Sequence, residues 1–224
     1  MSILSEPPAS DDAAPERPVG LRERSKLDKR RRIMDAARTI FIERGYEAAT
    51  TREIAARAGV SIGTVFVYAS DKRDLLLQVV NDELDEISNK AQALVDRKGP
   101  LLERLIAYFR LRYRYWAGEP RLSRPALQET AEFLPAADKP GEEATRFYAR
   151  RPVMLGQIEQ MVRSAQADGE LVEDVAADEI ASLIFSLYLI EARRWLQDDP
   201  PKLAAGLARL QRVLGLLMRG LLRS

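Results

Sequence analysis

The segment from Thr50 to Leu76, TTREIAARAGVSIGTVFVYASDKRDLL, restricts the possible folds more than any other stretch of the chain. Thr50 and Glu53 stand at capping-box spacing ahead of Ile54, Ala55 and Ala58, which starts a short helix that Gly59 then stops. The alanines at 55, 56 and 58 let a neighbouring backbone approach closely, and Gly59 admits the positive φ of a tight turn. Val60 can plug the core beneath that turn while Ser61 caps a second short helix over residues 62–68. Asp71 and Asp74 repeat the capping pattern for a further helix directly behind. Two short helices around a Gly-Val-Ser turn are the means by which a small domain presents one helix to the major groove of DNA.

Composition narrows the chemistry. With 224 residues the chain can build one large helical unit or two modest domains with a real core. It has no cysteine, hence no disulfide framework and no thiolate metal cluster. It has no histidine either, which removes imidazole triads, imidazole zinc sites and the usual neutral-pH proton shuttle. We therefore expect no enzyme, no metal site and no cofactor. The densest acid group, Asp168, Glu170, Glu173 and Asp174, reads as a solvated loop and helix cap. No apolar run approaches 18 residues, and the first 20 residues carry acids and prolines where a signal core would be apolar, so a cytoplasmic protein without membrane contact is expected.

Charge is unevenly distributed. Residues 1–20 carry a net −3, residues 21–80 a net +5 and residues 81–224 a net −1. The basic excess coincides with the helix-turn-helix segment, as a phosphate-binding face requires. Residues 1–25, rich in Pro, Ala, Ser and acid at their start, read as a disordered tail. A first helix over residues 26–44 then places Ile33, Ala36, Ala37, Ile40 and Phe41 on one stripe and stops at Gly45. Lys29, Arg30, Arg31 and Arg32 in its first turns oppose the helix dipole and invite an external anion.

The sequence from Ile33 to Leu76 resembles the DNA-binding domain of the TetR family of bacterial transcriptional regulators. The elements that carry the resemblance are IMDAARTIFIERGYEAATT, then EIAARAGVSIGTVFVY, then Lys72 ahead of Asp74-Leu75-Leu76. The resemblance implies that the helix after Gly59 enters the major groove, with Ile62, Gly63, Thr64 and Val67 facing base edges. Ile62 and Val67 would meet thymine methyls and Gly63 would allow close backbone approach. Thr64, Tyr68 and Lys72 would hold phosphates, and Thr50 or Thr51 would add a clamp at the preceding helix start. Ser61 and Phe66 complete the set. Phe66 stands where the family commonly has Tyr, and Ala69 replaces a commonly bulky aromatic, so part of the specificity would come from Arg22 or Arg24 in a minor groove, or from DNA shape. Val65 reads as packing, and Phe66 suits packing or contact equally.

Beyond Leu76 the apolar pattern continues through Val79, Val80, Leu84, Ile87 and Leu94 until Gly99-Pro100, giving a long rod able to transmit movement to the reading head. A helix over 101–116, a short one over 125–133, a long one over 142–167 kinked or started late by Pro152, and two terminal helices over 177–197 and 201–222 follow. Tyr108, Tyr113, Trp116, Phe133, Phe147, Tyr148, Met154 and Tyr188 can line an effector cavity with Arg112 and Glu191 as polar anchors, or form an ordinary core. The effector could be a drug-like compound, a fatty acyl thioester, an aromatic metabolite or a signalling lactone. Ile184 and Leu187, with Leu207, Leu210, Leu214 and Leu217, give more apolar surface than one antiparallel pair can bury, which suggests a homodimer through a four-helix bundle.

The expected protein is all-α. A three-helix helix-turn-helix domain (26–76) is joined by a long helix to a larger effector-binding and dimerisation domain (77–224). Its expected function is a dimeric DNA-binding regulator, a repressor released from a palindromic operator by a small molecule. The competing reading is a helical ligand-binding protein or adaptor that has lost DNA binding.

Overall fold

The computed structural model describes residues 20–129 and 141–222, and among these every regular element is a helix. In chain order they are α1 (Leu21–Arg44), α2 (Thr51–Ala58), α3 (Ile62–Tyr68), α4 (Lys72–Gln92), α5 (Leu101–Gly118), α6 (Pro120–Glu129), α7 (Glu142–Tyr148), α8 (Arg150–Ala167), α9 (Ala177–Leu196) and α10 (Leu203–Arg219). No helix of the described residues is long and apolar enough to cross a membrane.

The amino-terminal unit is built on the stripe Ile33, Ala37 and Phe41 of α1, which buries against Ile54 and Ala58 of α2, Val65 of α3 and Leu75 and Leu76 of α4. Each fully buried aliphatic or aromatic side chain here contributes roughly 1.5–3 kcal/mol. Arg57 of α2 pairs with Glu43 of α1 at 2.6 Å and adds little to that, because both are exposed. Helix α1 starts five residues earlier than its apolar period indicates. Its first turns are polar on all sides yet rich in good helix formers, and the Arg24 amide already bonds to the Gly20 carbonyl at 3.0 Å. Arg22 and Arg24 therefore lie on exposed helical turns, where a disordered tail was expected.

In the larger unit α4 and α5 pack with α8, α9 and α10 around an aromatic interior. The expected helix over 142–167 is two helices. Pro152 has no amide hydrogen and its ring opposes the carbonyl of residue 148, so the chain breaks at Ala149. The short helix expected from residue 125 begins at Pro120, which as a first helical residue loses no bond. Helix α4 ends at Gln92, two residues before Leu94. Glu170 accepts the Leu101 amide at 2.9 and 3.0 Å, so this one member of the acid group after α8 caps α5. At the carboxyl end, α10 docks on α9 where Gly206 lies so close to Trp195 that a Cβ would meet the indole at 2.7 Å.

Candidate functional site

The α2–α3 corner is held by satisfied backbone groups. Thr50 Oγ1 accepts the Glu53 amide at 3.2 Å while the Glu53 carboxylate accepts the Thr50 amide at 3.0 Å. Hydrogen bonds from the Thr50 hydroxyl and then from the Thr50 amide hold the Glu53 carboxyl below its ordinary pKa. Gly59 adopts φ 64° and ψ 39°, and the following Val60 amide reaches back to the Ala55 carbonyl at 3.0 Å, which closes α2. Ser61 Oγ accepts the Thr64 amide at 3.2 Å and starts α3. The side chains of Thr50 and Ser61 are thus engaged in capping, and Thr50 Oγ1 also donates to Glu53 at 2.9 Å.

Val65 anchors α3 with no exposed surface, and the opposite face is left open. Ile62 is 42% exposed, Phe66 50% and Val67 75%, with Gly63 exposed beside them. Three large apolar side chains open to solvent on a seven-residue helix indicate a surface shaped for a partner. Tyr68 is half-buried and donates its hydroxyl to the Lys26 carbonyl at 3.2 Å, tying α3 to α1. Lys72 donates to the Glu47 carbonyl at 3.0 Å and lies 4.7 Å from the Tyr46 ring centre. An ammonium has three donors, so Lys72 keeps capacity for a phosphate from this fixed position. Burial, with nearby carboxylates, pushes the Tyr46 hydroxyl up to about 12, so it stays protonated in this corner. Arg52 and Arg57 of α2 and Arg22, Arg24 and Lys26 of α1 are exposed on this unit.

Side chains from the larger unit grip the amino-terminal unit at three points. Arg121 of α6 donates to the last carbonyls of α1, Arg38 of α1 pairs with Glu83 of α4 at 3.2 Å, and Arg30 of α1 meets Glu143 of α7 at 3.5 Å. A cleft of about 430 Å³ lies at this junction, lined by Arg38, Glu83, Ile87, Tyr115 and Leu122 among others. Burial first, and then the negative charge of Glu83 and a hydrogen bond to it, hold the Tyr115 hydroxyl protonated far above its usual range. Sequence reasoning missed this junction, whose partners lie far apart in the chain.

The effector residues do not all come together. Tyr108, Tyr113, Trp116 and Tyr188 converge: Phe109 stacks on Tyr188 at 4.4 Å, Tyr113 on Trp195 at 4.6 Å, and Trp116 donates to the Tyr188 hydroxyl at 3.1 Å. Tyr108 donates to Gln157 at 2.5 Å, and Arg112 lies over its ring at 4.9 Å. Burial raises the pKa of the Tyr108, Tyr113 and Tyr188 hydroxyls. Met154 and Phe147 are buried on α8 and α7. Tyr148 sits instead in an ion-pair junction with Arg73 of α4 and Glu129 of α6. Glu191 is corrected as an open anchor, because it is already paired with Arg194 at 3.1 Å and with Arg209 of α10. Phe133 lies outside the described residues.

The dimer residues also need correction. Ile184, Leu210 and Leu214 are fully buried within the protomer, because α9 and α10 turn those faces onto α5, α8 and each other. Leu187, Leu207 and Leu217 are half-buried. The open apolar positions are Leu183 and Ile190 of α9 and Leu216 of α10, with Leu222 beyond its end.

Residues 33–79 match the family model described as bacterial regulatory proteins of the tetR family. The chain is 28% identical over 173 residues to the HTH-type transcriptional repressor KstR of Mycolicibacterium smegmatis, covering 77% of this chain and 78% of that protein. It is 22% identical over 176 residues to the fatty acid metabolism regulator protein of Bacillus subtilis, covering 79% and 88%. Among solved structures it is similar to Thermus thermophilus FadR, a TetR family repressor in complex with lauroyl-CoA. That match has a TM-score of 0.61 and 27% identity, and covers 83% of this chain and 92% of that one.

Proposed function

Because the chain belongs to the TetR family of bacterial DNA-binding transcriptional regulators, we propose that it acts as a homodimeric repressor. Two copies of α3 would read a palindromic operator, and a small molecule entering the larger unit would release it. The observation that carries this reading is the open face of α3, where Ile62, Phe66 and Val67 stand out from a helix pinned by Val65.

In the bound complex Ile62 and Val67 meet thymine methyls, and Gly63 lets the backbone close on the groove. Phe66 adds apolar contact at the groove edge. Thr64, Thr51 and Lys72 supply phosphate contacts that set register without reading sequence, and Tyr68 joins them when its hydroxyl turns from the Lys26 carbonyl to a phosphate. Thr50 and Ser61 contribute through the helix starts they cap. Arg22 and Arg24, carried on the first turns of α1, reach the flanking backbone or minor groove.

A partner copy would cover Leu183, Leu187 and Ile190 of α9 together with Leu216 of α10, and would bring the reading helices about one DNA turn apart. An effector would act within the interior around Tyr108, Tyr113 and Tyr188. It can release DNA only if it binds the non-reading arrangement more tightly than the reading one. Movement there would reach α1 through Arg121 and the Arg38–Glu83 pair. The relatives' names speak of fatty acid metabolism and of a lauroyl-CoA complex, and a bulky apolar effector suits the aromatic interior of this chain.

A mobility shift with DNA from upstream of the gene, at stated salt, tests the reading. A specific complex with the full chain is expected, lost on exchanging Val67 and Phe66 together for Asp. Equal binding of operator and random DNA at every salt concentration would contradict it.

A further inference from the structure

Among the described residues, two arginines are buried as deeply as the core, Arg104 and Arg112. Arg104 donates from Nη2 to the Val95 carbonyl at 2.9 Å and thereby closes the α4–α5 turn, while its Nε has no partner. Arg112 is 3% exposed, its Nη1 has no hydrogen-bond partner, and no described carboxylate pairs with it. Glu191, the buried carboxylate of α9, is held by Arg194 and Arg209. The hydroxyl of the next residue, Tyr113, is also buried without a partner.

The Arg112 guanidinium, a planar fork of five donors, gives up its hydration on burial. The Tyr108 ring, 4.9 Å away, and a hydrogen bond with the Tyr108 hydroxyl offset the lost hydration only in part. An isolated buried cation is costly, and removing a partner from such a group is among the larger destabilisations known. The fold therefore buries a positive charge in an aromatic interior with no described carboxylate beside it.

Resting on the reading of this interior as the effector site, we propose that the effector is an organic anion. It is a free carboxylate on an apolar body, with the carboxylate bound by the Arg112 guanidinium. The planar fork of Arg accepts a carboxylate through two parallel hydrogen bonds. The apolar body then lies against the Phe109–Tyr188 and Tyr113–Trp195 stacks. This chemistry distinguishes a free acid from its coenzyme A thioester. In the thioester the carboxyl carbon bears a neutral carbonyl, and the charges sit on phosphates at the far end of a long arm. Those hydrated phosphates cannot follow the acyl group to a side chain this deeply enclosed.

The test titrates the full-length protein with laurate, phenylacetate and cholate, each beside its own primary amide and its own coenzyme A thioester. Binding is read from the fluorescence of Trp116 and Trp195. At least one acid is expected to bind at least 30-fold tighter than its amide and its thioester. Arg112→Gln should abolish that preference, and Arg112→Lys should restore part of it. Arg112→Met, without ligand, should raise the melting temperature by about 2–4 °C, since a lone buried charge is gone. The proposal is overturned if an amide or thioester binds as tightly as the acid, if Arg112→Gln keeps the preference, or if none of the nine compounds binds. A melting temperature that falls in Arg112→Met also overturns it, by showing that the cation is compensated.

Operator release is measured separately. An acid that binds through Arg112 yet leaves the DNA complex intact contradicts effector-driven release and keeps the anion site. A thioester that releases DNA from wild type and Arg112→Gln alike keeps release and overturns the anion site.

Discussion

Arg121 Nη1 reaches from α6 to the carbonyl oxygen of Ile42 at 2.6 Å, and to that of Glu43 at 3.1 Å, in the last turn of α1. The final carbonyls of a helix have no partner within it, so a cation placed there both caps the helix and complements its dipole. The cap comes from the other unit, which makes the end of the reading head's first helix depend on where α6 sits.

Arg121→Met keeps the apolar stem and removes the donors. A hydrogen bond from a charged group contributes about 1.5–3 kcal/mol. The amides of Gly45 and Ala49, which close the α1–α2 turn, should therefore exchange about tenfold faster or more, while amides within α8 and α9 keep their rates. Hydrogen exchange read residue by residue checks this, and unchanged rates at Gly45 and Ala49 would show that α6 does not brace α1.

Lys72 sits beside Tyr46 and Glu47 with a donor to spare. Lys72→Met should weaken binding to every DNA sequence alike and lower the slope of log affinity against log salt by about one, the signature of one lost phosphate contact. Affinities measured over a range of salt for operator and random duplex decide it; a loss confined to the operator would mean that Lys72 reads bases.

Leu183 and Ile190 are exposed one face away from the buried Ile184. The double change Leu183→Asp, Ile190→Asp should give a folded monomer in a solution mass measurement. Leu210→Asp should instead unfold the protomer, because it buries an unpaired charge. A double variant that still has the mass of two chains would place the dimer contact elsewhere.

Arg146 and Arg150, of α7 and α8, both pair with Asp85 of α4, and Arg146 also meets Asp82 at 2.8 Å. Burial alone would raise the Asp85 carboxyl, but the two guanidinium groups outweigh it and hold its pKa below the ordinary 3.8. A folded-state pKa below the unfolded one means that the stabilisation is complete above about pH 4 to 5 and fades as pH falls through the folded value. Asp85→Asn should therefore lower the melting temperature at pH 7 and converge on wild type near pH 2–3. Melting curves at both pH values check the sign.

Much of the reading head was legible because its signals are local. Thr50 with Glu53, Gly59 and Ser61 each fix a neighbouring amide or a backbone angle, and the structure places α2 and α3 where those residues demand. The start of α1 was not legible from apolar period, since its first turns have no apolar face. Ile184, Leu210 and Leu214 show a second limit. Spacing says that one side of a helix is apolar but not whether a neighbour in the same chain already covers it. Glu191 fails as an open anchor for the same reason: Arg209, which engages it, lies on the next helix and is set against it only by packing. Arg121 was overlooked because its partners are backbone carbonyls of Ile42 and Glu43, far back in the chain.

Selection of binding sites from a random duplex pool, followed by footprinting, tests the role of α3 most directly. The wild-type protein should select an inverted repeat with two protected patches on one side of the duplex, about 34–36 Å apart centre to centre. Val67→Ser should select a repeat that differs within those patches while its spacing stays the same. A non-palindromic selection, or a Val67→Ser protein that selects the wild-type sequence unchanged, would contradict the placement of α3 in the major groove.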